Sequence, residues 1–306
     1  MKALVTGGAG FIGSHLSERL AREGAETLVL DDLSVGKREN VPGGARLLVG
    51  DVRDPDVVAP LLQGVDVVFH LAAKVTIRGS VDRFWDDAQT TLLGTLSVLE
   101  ALRRAATRPR RIVYASSMAV YGEAERLPIP ESAALRPQSP YGIAKMACER
   151  YVHEIAATLG VESVALRYFN TFGERQALTP YVGVLTIFMD RMLRGEPATI
   201  FGTGAQVRDF VYAGDVAAAT WLAATTPGCT GMTFNVGTGA GTTVRELHDL
   251  LAAATGGSAP PLHAPLPAGE PTDSVADVAL AQERLGFRAR QTIASKIPDL
   301  VALARR

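Results

Sequence analysis

The 306-residue chain reads as an α/β protein: a Rossmann-type, doubly wound parallel sheet with a smaller C-terminal α/β lobe interleaved with it. Three observations predict this. Short apolar runs alternate with stretches of helical periodicity through the first half of the chain. Gly7, Gly10 and Gly13 stand between the first apolar run and the first helix. Asp31 closes the second apolar run, 18 residues past Gly13.

The elements follow in order. A strand at 2–6 runs into the glycines, and a second at 27–30 ends in Asp31. A polar loop covers 34–44, and a strand at 46–49 leads to Gly50-Asp51. A short helix near 55–62 precedes the buried run 65–71. Phe84, Trp85, Ala88, Leu92, Leu96, Leu99 and Leu102 keep helical spacing across 82–106, about seven turns. A strand at 111–115, a helix at 141–159 and a strand at 161–168 complete the alternation, which calls for parallel strands covered on both faces. Past Asn170 the pattern loosens into a helix (184–194), a short strand (199–201), a Gly-rich loop (202–207) and a run at 233–236 that reads as one more central strand. Residues 257–272, rich in proline, alanine and glycine, are the least regular. Residues 1–169 and 211–238 are expected to form the dinucleotide-binding domain. Residues 170–210 and 239–306 are expected to form the lobe over the C-terminal edge of the sheet, where ligands bind in such folds.

The glycine turn is suited to a dinucleotide pyrophosphate. Gly7 permits the tight turn, Gly10 lets backbone approach the phosphates, and Gly13 lets the helix lie close to the strand. The helix N-terminus, including Phe11 and Ile12, offers free N–H groups and a positive dipole end. Asp31 is placed to accept hydrogen bonds from the adenosine ribose, and its charge repels a 2′-phosphate. The expected cofactor is therefore NAD rather than NADP.

Composition excludes other classes. With 31 basic and 32 acidic residues the net charge is −1, so nothing suggests nucleic acid or an anionic membrane as a partner. No apolar run approaches the ~20 residues that span a bilayer. The first strand begins at Lys2, leaving no room for a signal peptide. Cys148 and Cys229 lie far apart, as in a reducing compartment, and the five histidines form no metal-ligand pair. Cytoplasm is the expected location.

The chemistry lies between strand and helix in mid-chain. Ser139 is a helix N-cap with Pro140 at the first helical position. Tyr141 and Lys145, four apart, share a face, where an ammonium beside the phenol is expected to lower its pKa and make a base near neutral pH. Ser116 and Ser117 stand at the end of the preceding strand. The alternative is a surface tyrosine on an amphipathic helix with serines capping a turn; the upstream dinucleotide fingerprint weighs against it.

TGGAGFIGSHL at 6–16, GDVRD at 50–54, FHLAA at 69–73, YASSMAVYG at 114–122, SPYGIAK at 139–145, RYFNTFGERQ at 167–176 and VRDFVYAGDVA at 207–217 occur in one order. In these segments the chain resembles the extended short-chain dehydrogenases/reductases, specifically their nucleotide-sugar 4-epimerase group. The resemblance implies a tightly held NAD and a UDP-sugar substrate, UDP-glucose or UDP-galactose, epimerised through a transient 4-keto sugar. It implies Tyr141 as base at the sugar 4-hydroxyl, Ser117 bound to O4, and Lys145 on the nicotinamide ribose. It implies Asp51 and Val52 at the adenine, and Leu71, Ala72 and Ala73 along the ribose and pyrophosphate. It further implies Asn170 at the substrate phosphates, Thr199 and Phe201 at the uracil, Arg208 on the diphosphate and Glu270 at the ribose. Helices 82–106 and 141–159 resemble the pair through which the group forms homodimers.

The chain departs from that pattern at three places. Thr91 replaces an asparagine, Pro267 replaces an arginine, and Ala177 stands where glucuronate-specific relatives carry an arginine, which favours a neutral sugar. Ser274 aligns with a position that is either tyrosine or small, and its size implies room for an N-acetyl group and so for UDP-N-acetylglucosamine. The rival activities are a UDP-glucuronate 4-epimerase, a nucleotide-sugar dehydratase or decarboxylase, and an NAD-binding regulator. Met118-Ala119 lack the carboxylates a dehydratase uses, and a regulator tends to lose Tyr141 or Lys145. Three further features are read as structural: the glycines at 237, 239 and 241 as a turn before a Thr243/Glu246 capping box, Cys148 as buried, and His70 as a satisfied core histidine.

Overall fold

A computed structural model describes residues 1–74, 77–179, 183–257, 259–265 and 272–305. The central sheet uses β1 (Lys2–Thr6), β2 (Glu26–Asp31), β3 (Arg46–Val49), β4 (Val67–His70), β5 (Arg111–Ser117) and β6 (Glu162–Tyr168). Next in the chain come four short strands, β7 (Asn170–Phe172), β8 (Thr199–Phe201), β9 (Val207–Arg208) and β10 (Phe210–Tyr212). The seventh strand of the sheet, β11 (Met232–Val236), follows, then β12 (Thr242–Thr243) and β13 (Leu262–Ala264). The sheet order is β11-β6-β5-β4-β1-β2-β3, and every pairing in it is parallel. The order reverses between β1 and β4, so the ends of β1, β4 and β5 open onto one crevice at the C-terminal edge.

Helices cover both faces because the strands are apolar on both sides, as Val67-Val68-Phe69 and Ile112-Val113 illustrate. On one face α1 (Phe11–Arg22) packs against α8 (Ala213–Thr225) over Val5, Phe69, Val164 and Leu166. On the other, α2 (Pro55–Val58), α5 (Gly94–Arg104) and α6 (Pro140–Thr158) cover Leu4, Val68 and Ile112. A third core joins Phe172, Phe188, Ile200, Phe210, Leu247 and Leu300, contributed mainly by α7 (Val184–Leu193), α9 (Val244–Thr255) and α11 (Ile293–Ala304). The three small sheets pair β7 with β10, β9 with β12 and β8 with β13.

Three expectations change. The helix expected across 82–106 is α4 (Phe84–Ala88), a π-helical turn at Gln89–Leu93, and α5, with α3 (Ile77–Asp82) just before it. In the π turn the Thr91 carbonyl accepts from Thr95 Oγ1 at 2.7 Å and from Cys148 Sγ at 3.4 Å. The run at 233–236 is not central: β11 pairs only with β6 and lies at the edge. Helix α10 (Ala279–Leu285) packs against it, so its apolar pattern matches that of an interior strand. Ala281, Leu285 and Phe287 accordingly join the core of the sheet, although they fall in the stretch expected to build the second lobe.

Candidate active site

The glycine turn has the shape a phosphate needs. Gly7 sits at φ +73°, and a Cβ on Gly13 would lie 2.1 Å from the Gly7 carbonyl oxygen. Only hydrogens at both places let α1 begin directly against β1. Gly10 caps α1 without a side chain, so the first-turn N–H groups of Phe11, Ile12 and Gly13 meet no competing cap. This cradle, which side chains would fill, fits a dinucleotide pyrophosphate.

Asp31 is buried at the end of β2, accepting from the backbone N–H of Ala9 and of Leu33 at 2.9 Å each. Burial pushes its carboxyl above the ordinary range, and those bonds oppose the shift. The same carboxylate thus ties the glycine loop to the chain leaving β2. Asp51 is engaged by the Arg53 guanidinium, which lowers its pKa, while the Val52 side chain is buried in the core of the sheet. Leu71, Ala72 and Ala73 follow β4, and the N–H of Ala72 donates to Thr6 Oγ1 at 3.3 Å.

Ser117 is the last residue of β5, and its hydroxyl caps the next turn by accepting from the Ala119 N–H at 3.2 Å. Ser139 caps α6 through the Gly142 N–H at 3.1 Å, and Ser80 accepts from the Tyr141 N–H at 3.2 Å. Tyr141 and Lys145 are both buried in the first turns of α6. Lys145 Nζ donates to the Ala115 carbonyl at 2.6 Å, lies 4.8 Å from the centre of the Tyr114 ring, and is 5.8 Å from the centre of the Tyr141 ring. The expected lowering of the Tyr141 pKa is not found. Burial pushes the phenol well above its ordinary range; the Ser117 hydroxyl pulls it down, and Asp87 and Cys148 push it up. The ammonium is bonded to β5, and burial lowers Lys145 itself to about 8.

Three second-lobe positions meet. Asn170 begins β7, Arg208 ends β9, and Ser274 bridges to Arg208. The fully buried Ser274 places its hydroxyl 3.4 Å from Asn170 Oδ1. Arg208 donates to the carbonyls of Val207 at 3.0 Å and Thr272 at 2.7 Å. Thr199 and Phe201 lie on β8, paired with β13. Glu270 and Pro267 lie outside the described residues. His70 is a satisfied core group, with ring nitrogens 2.7 Å from Thr6 Oγ1 and 3.0 Å from Thr95 Oγ1. Cys148 is buried, and the Thr243/Glu246 capping box is formed.

Residues 3–237 match the family described as NAD dependent epimerase/dehydratase. The chain belongs to this family. It is 36% identical over 312 residues to the UDP-glucose 4-epimerase of Mycolicibacterium smegmatis, covering 100% of this chain and 99% of that one. The UDP-glucose 4-epimerase of Thermotoga maritima, solved with UDP-glucose, superposes with a TM-score of 0.94 at 37% identity, covering 100% of this chain and 99% of that one. The Thermus thermophilus UDP-glucose 4-epimerase, solved with NAD, gives 0.92 at 38% identity with the same coverage.

Within this NAD-dependent family fold, two structural devices escaped the sequence reading. Asp209 is not paired with its neighbour Arg208. It is fully buried and clasps the 237–241 turn, accepting from Thr238 N–H at 2.8 Å, Gly239 N–H at 2.9 Å and Ala276 N–H at 3.1 Å. Behind Tyr141, Glu149 on α6 accepts from Ser116 and, in a two-bond fork, from Arg167 at 3.0 and 2.8 Å. Arg167 also donates to Tyr121 Oη at 2.9 Å, which donates to Asn235 at 2.7 Å. An acid or arginine with a partner tens of residues away leaves no local pattern; only an unexpected charge in an apolar strand, as at Arg167, hints at it.

Proposed function

We propose that the chain is an isomerase, an NAD-dependent UDP-sugar 4-epimerase that interconverts UDP-glucose and UDP-galactose. The observation that carries this is the grouping of Ser117, Tyr141 and Lys145 at the same edge of the sheet as the glycine cradle and Asp31. When bound, NAD supplies a reversible hydride acceptor with a positively charged nicotinamide ring. The residues of the chain do the rest. Tyr141 exchanges the proton of the sugar 4-hydroxyl, Ser117 orients that oxygen, and Lys145 holds the adjoining ribose. Gly7, Gly10, Phe11, Ile12 and Gly13 hold the pyrophosphate, with Asp31, Asp51, Val52, Leu71, Ala72 and Ala73 along the adenosine. Asn170, Thr199, Phe201, Arg208 and Glu270 bind the UDP portion.

Ser274, beside Asn170, supports use of N-acetylated UDP-sugars as well. Buried Met118 and Ala119 follow Ser117, so no carboxylate stands there for a dehydratase step. The division into residues 1–169 with 211–238 and residues 170–210 with 239–306 is supported by the separate core under α7, α9 and α11, with α10 assigned to the first domain. A homodimer through α4 to α6 is supported by Phe84 at 60%, Trp85 at 66%, Leu93 at 49% and Ile143 at 52% exposure, large side chains that an isologous four-helix contact would cover. No helix among the described residues is long and apolar enough to cross a membrane, and a cytoplasmic location is part of the proposal. The test is incubation with UDP-galactose, with product followed by NMR, and chromatography of the cofactor released on denaturation. UDP-glucose and NAD(H) are expected; an unchanged sugar, or mainly NADP(H), overturns it.

A further inference from the structure

Asp87, on α4, is only 3% exposed, and neither carboxyl oxygen has a hydrogen-bond partner among the described residues. A buried, unpartnered acid is costly and rare in a folded chain. Its surroundings are specific. Helix α4 packs on α6, and the cations acting on Asp87 are Lys145 from α6 and Lys74 from the loop after β4. Tyr141 and Cys148 also face it from α6.

Lys145 has few sources of negative charge. His70 from β4 and Tyr114 from β5 flank it, and among the described residues its hydrogen bond goes to the neutral Ala115 carbonyl. The other acids acting on it are committed: the Cys148 thiol donates to the Thr91 carbonyl at 3.4 Å, and Glu149 is held by Arg167 through both oxygens. Asp87 is thus the uncommitted acid beside the ammonium among the described residues.

We propose that Asp87 is a positioning residue that keeps Lys145 charged beside Tyr141, acting through space without touching substrate. The role in catalysis rests on reading Tyr141 and Lys145 as the reacting pair; the charge coupling stands apart from it. Burial pushes Asp87 up to about 6 and Lys145 down to about 8, so both carry charge in the interval around neutral pH. Below that interval Asp87 takes a proton, and above it Lys145 loses one.

The chain has only five lysines (2, 37, 74, 145 and 296), so 13C-lysine labelling gives a titration curve for each by NMR, with Lys145 assigned through Lys145→Met. In Asp87→Asn the Lys145 midpoint is expected to fall by about one pH unit, a tenfold change in its acid constant, while Lys2, Lys37 and Lys296 keep theirs. The alkaline limb of the kcat profile is expected to move the same way, which a merely structural residue would not cause. An unmoved Lys145 midpoint in folded Asp87→Asn overturns the proposal. Should that variant not fold, 13C-aspartate and 13C-lysine titrations of the wild type decide: Lys145 must show a second inflection where Asp87 titrates, and its absence is equally fatal. A moved midpoint in a protein that leaves UDP-sugars unchanged counts against the epimerase reading and for the coupling.

Discussion

Helix α6 carries two buried charges one turn apart, and they are treated in opposite ways. Glu149 lies in a closed network with Arg167, Ser116, Tyr121 and Asn235, with hydrogen bonds to spare for the carbonyls of Glu131 and Ile129. Among the described residues Lys145 bonds to a backbone carbonyl, its neighbour Tyr141 is held protonated by burial, and Asp87 across the helix contact has no hydrogen-bond partner. Where charges are fully paired, they lock β5, β6, β11 and α6 into one shape. Where they are left underpaired in low dielectric, their protonation responds to whatever enters the crevice, which is the condition for proton transfer. The satisfied half of α6 builds the candidate site, and the underpaired half carries the side chains proposed to react in it.

That contrast predicts different failures. Tyr141→Phe should lower kcat by ~10²–10⁴-fold, the usual worth of general-base assistance, with the unfolding midpoint and nucleotide-sugar affinity near wild type. Retention of more than about a tenth of the turnover would place the proton transfer elsewhere. Arg167→Met should show the reverse pattern. It strands Glu149 in the interior at a cost of about 3–5 kcal/mol in denaturant unfolding, and Glu149→Leu in the same chain should restore most of it. Equal losses in the single and double variants would mean that the pairing is not what matters.

A third measurement concerns His70, a satisfied group beneath Lys145. Burial holds it at about 3 against an ordinary 6.5, so the folded chain refuses a proton that the unfolded chain accepts. Its contribution is full above pH 6.5 and is lost as pH falls towards 3. By pH 5 the loss relative to pH 7 is about 2 kcal/mol. Asp87, raised rather than lowered, acts with the opposite sign, but it is present in wild type and variant alike. His70→Asn should therefore lose less stability than wild type between pH 7 and pH 5, and parallel curves would refute the assignment. The smallest expected effect is on substrate choice: Ser274→Tyr should shift the ratio of kcat/KM for UDP-N-acetylglucosamine over UDP-glucose down by about tenfold. A constant ratio would remove Ser274 as the determinant.

Much of the site was legible because its signals are local. Gly7, Gly10 and Gly13 announce a close approach of helix to strand within seven residues. Ser139-Pro140 announces the start of α6, and the Tyr141–Lys145 spacing puts both residues on one face of it. The Thr243/Glu246 box and the satisfied His70 followed from side-chain chemistry and from burial in an apolar run. These are statements about neighbours along the chain or about the polarity of a run, and backbone geometry makes them before any tertiary contact exists.

Other features arose only when distant segments met. The sequence by itself determined the parallel α/β alternation, the cradle and the spacing that makes Tyr141 and Lys145 candidates for the reacting pair. Tertiary structure decided that β11 is an edge strand, that Asp209 clasps the turn at 237–241, and that the helix at 82–106 breaks into a π turn against Cys148. It also decided the protonation of the site. A phenol four residues from a lysine looks like a weakened acid in sequence, but its pKa depends on how much water is excluded and which charges arrive from other elements. Asp87 comes from α4 and Ser117 from β5, and Ala115 of that strand holds the ammonium. Periodicity specifies which face of a helix is buried; only packing specifies what that face is buried against, and electrostatic energy depends on the latter.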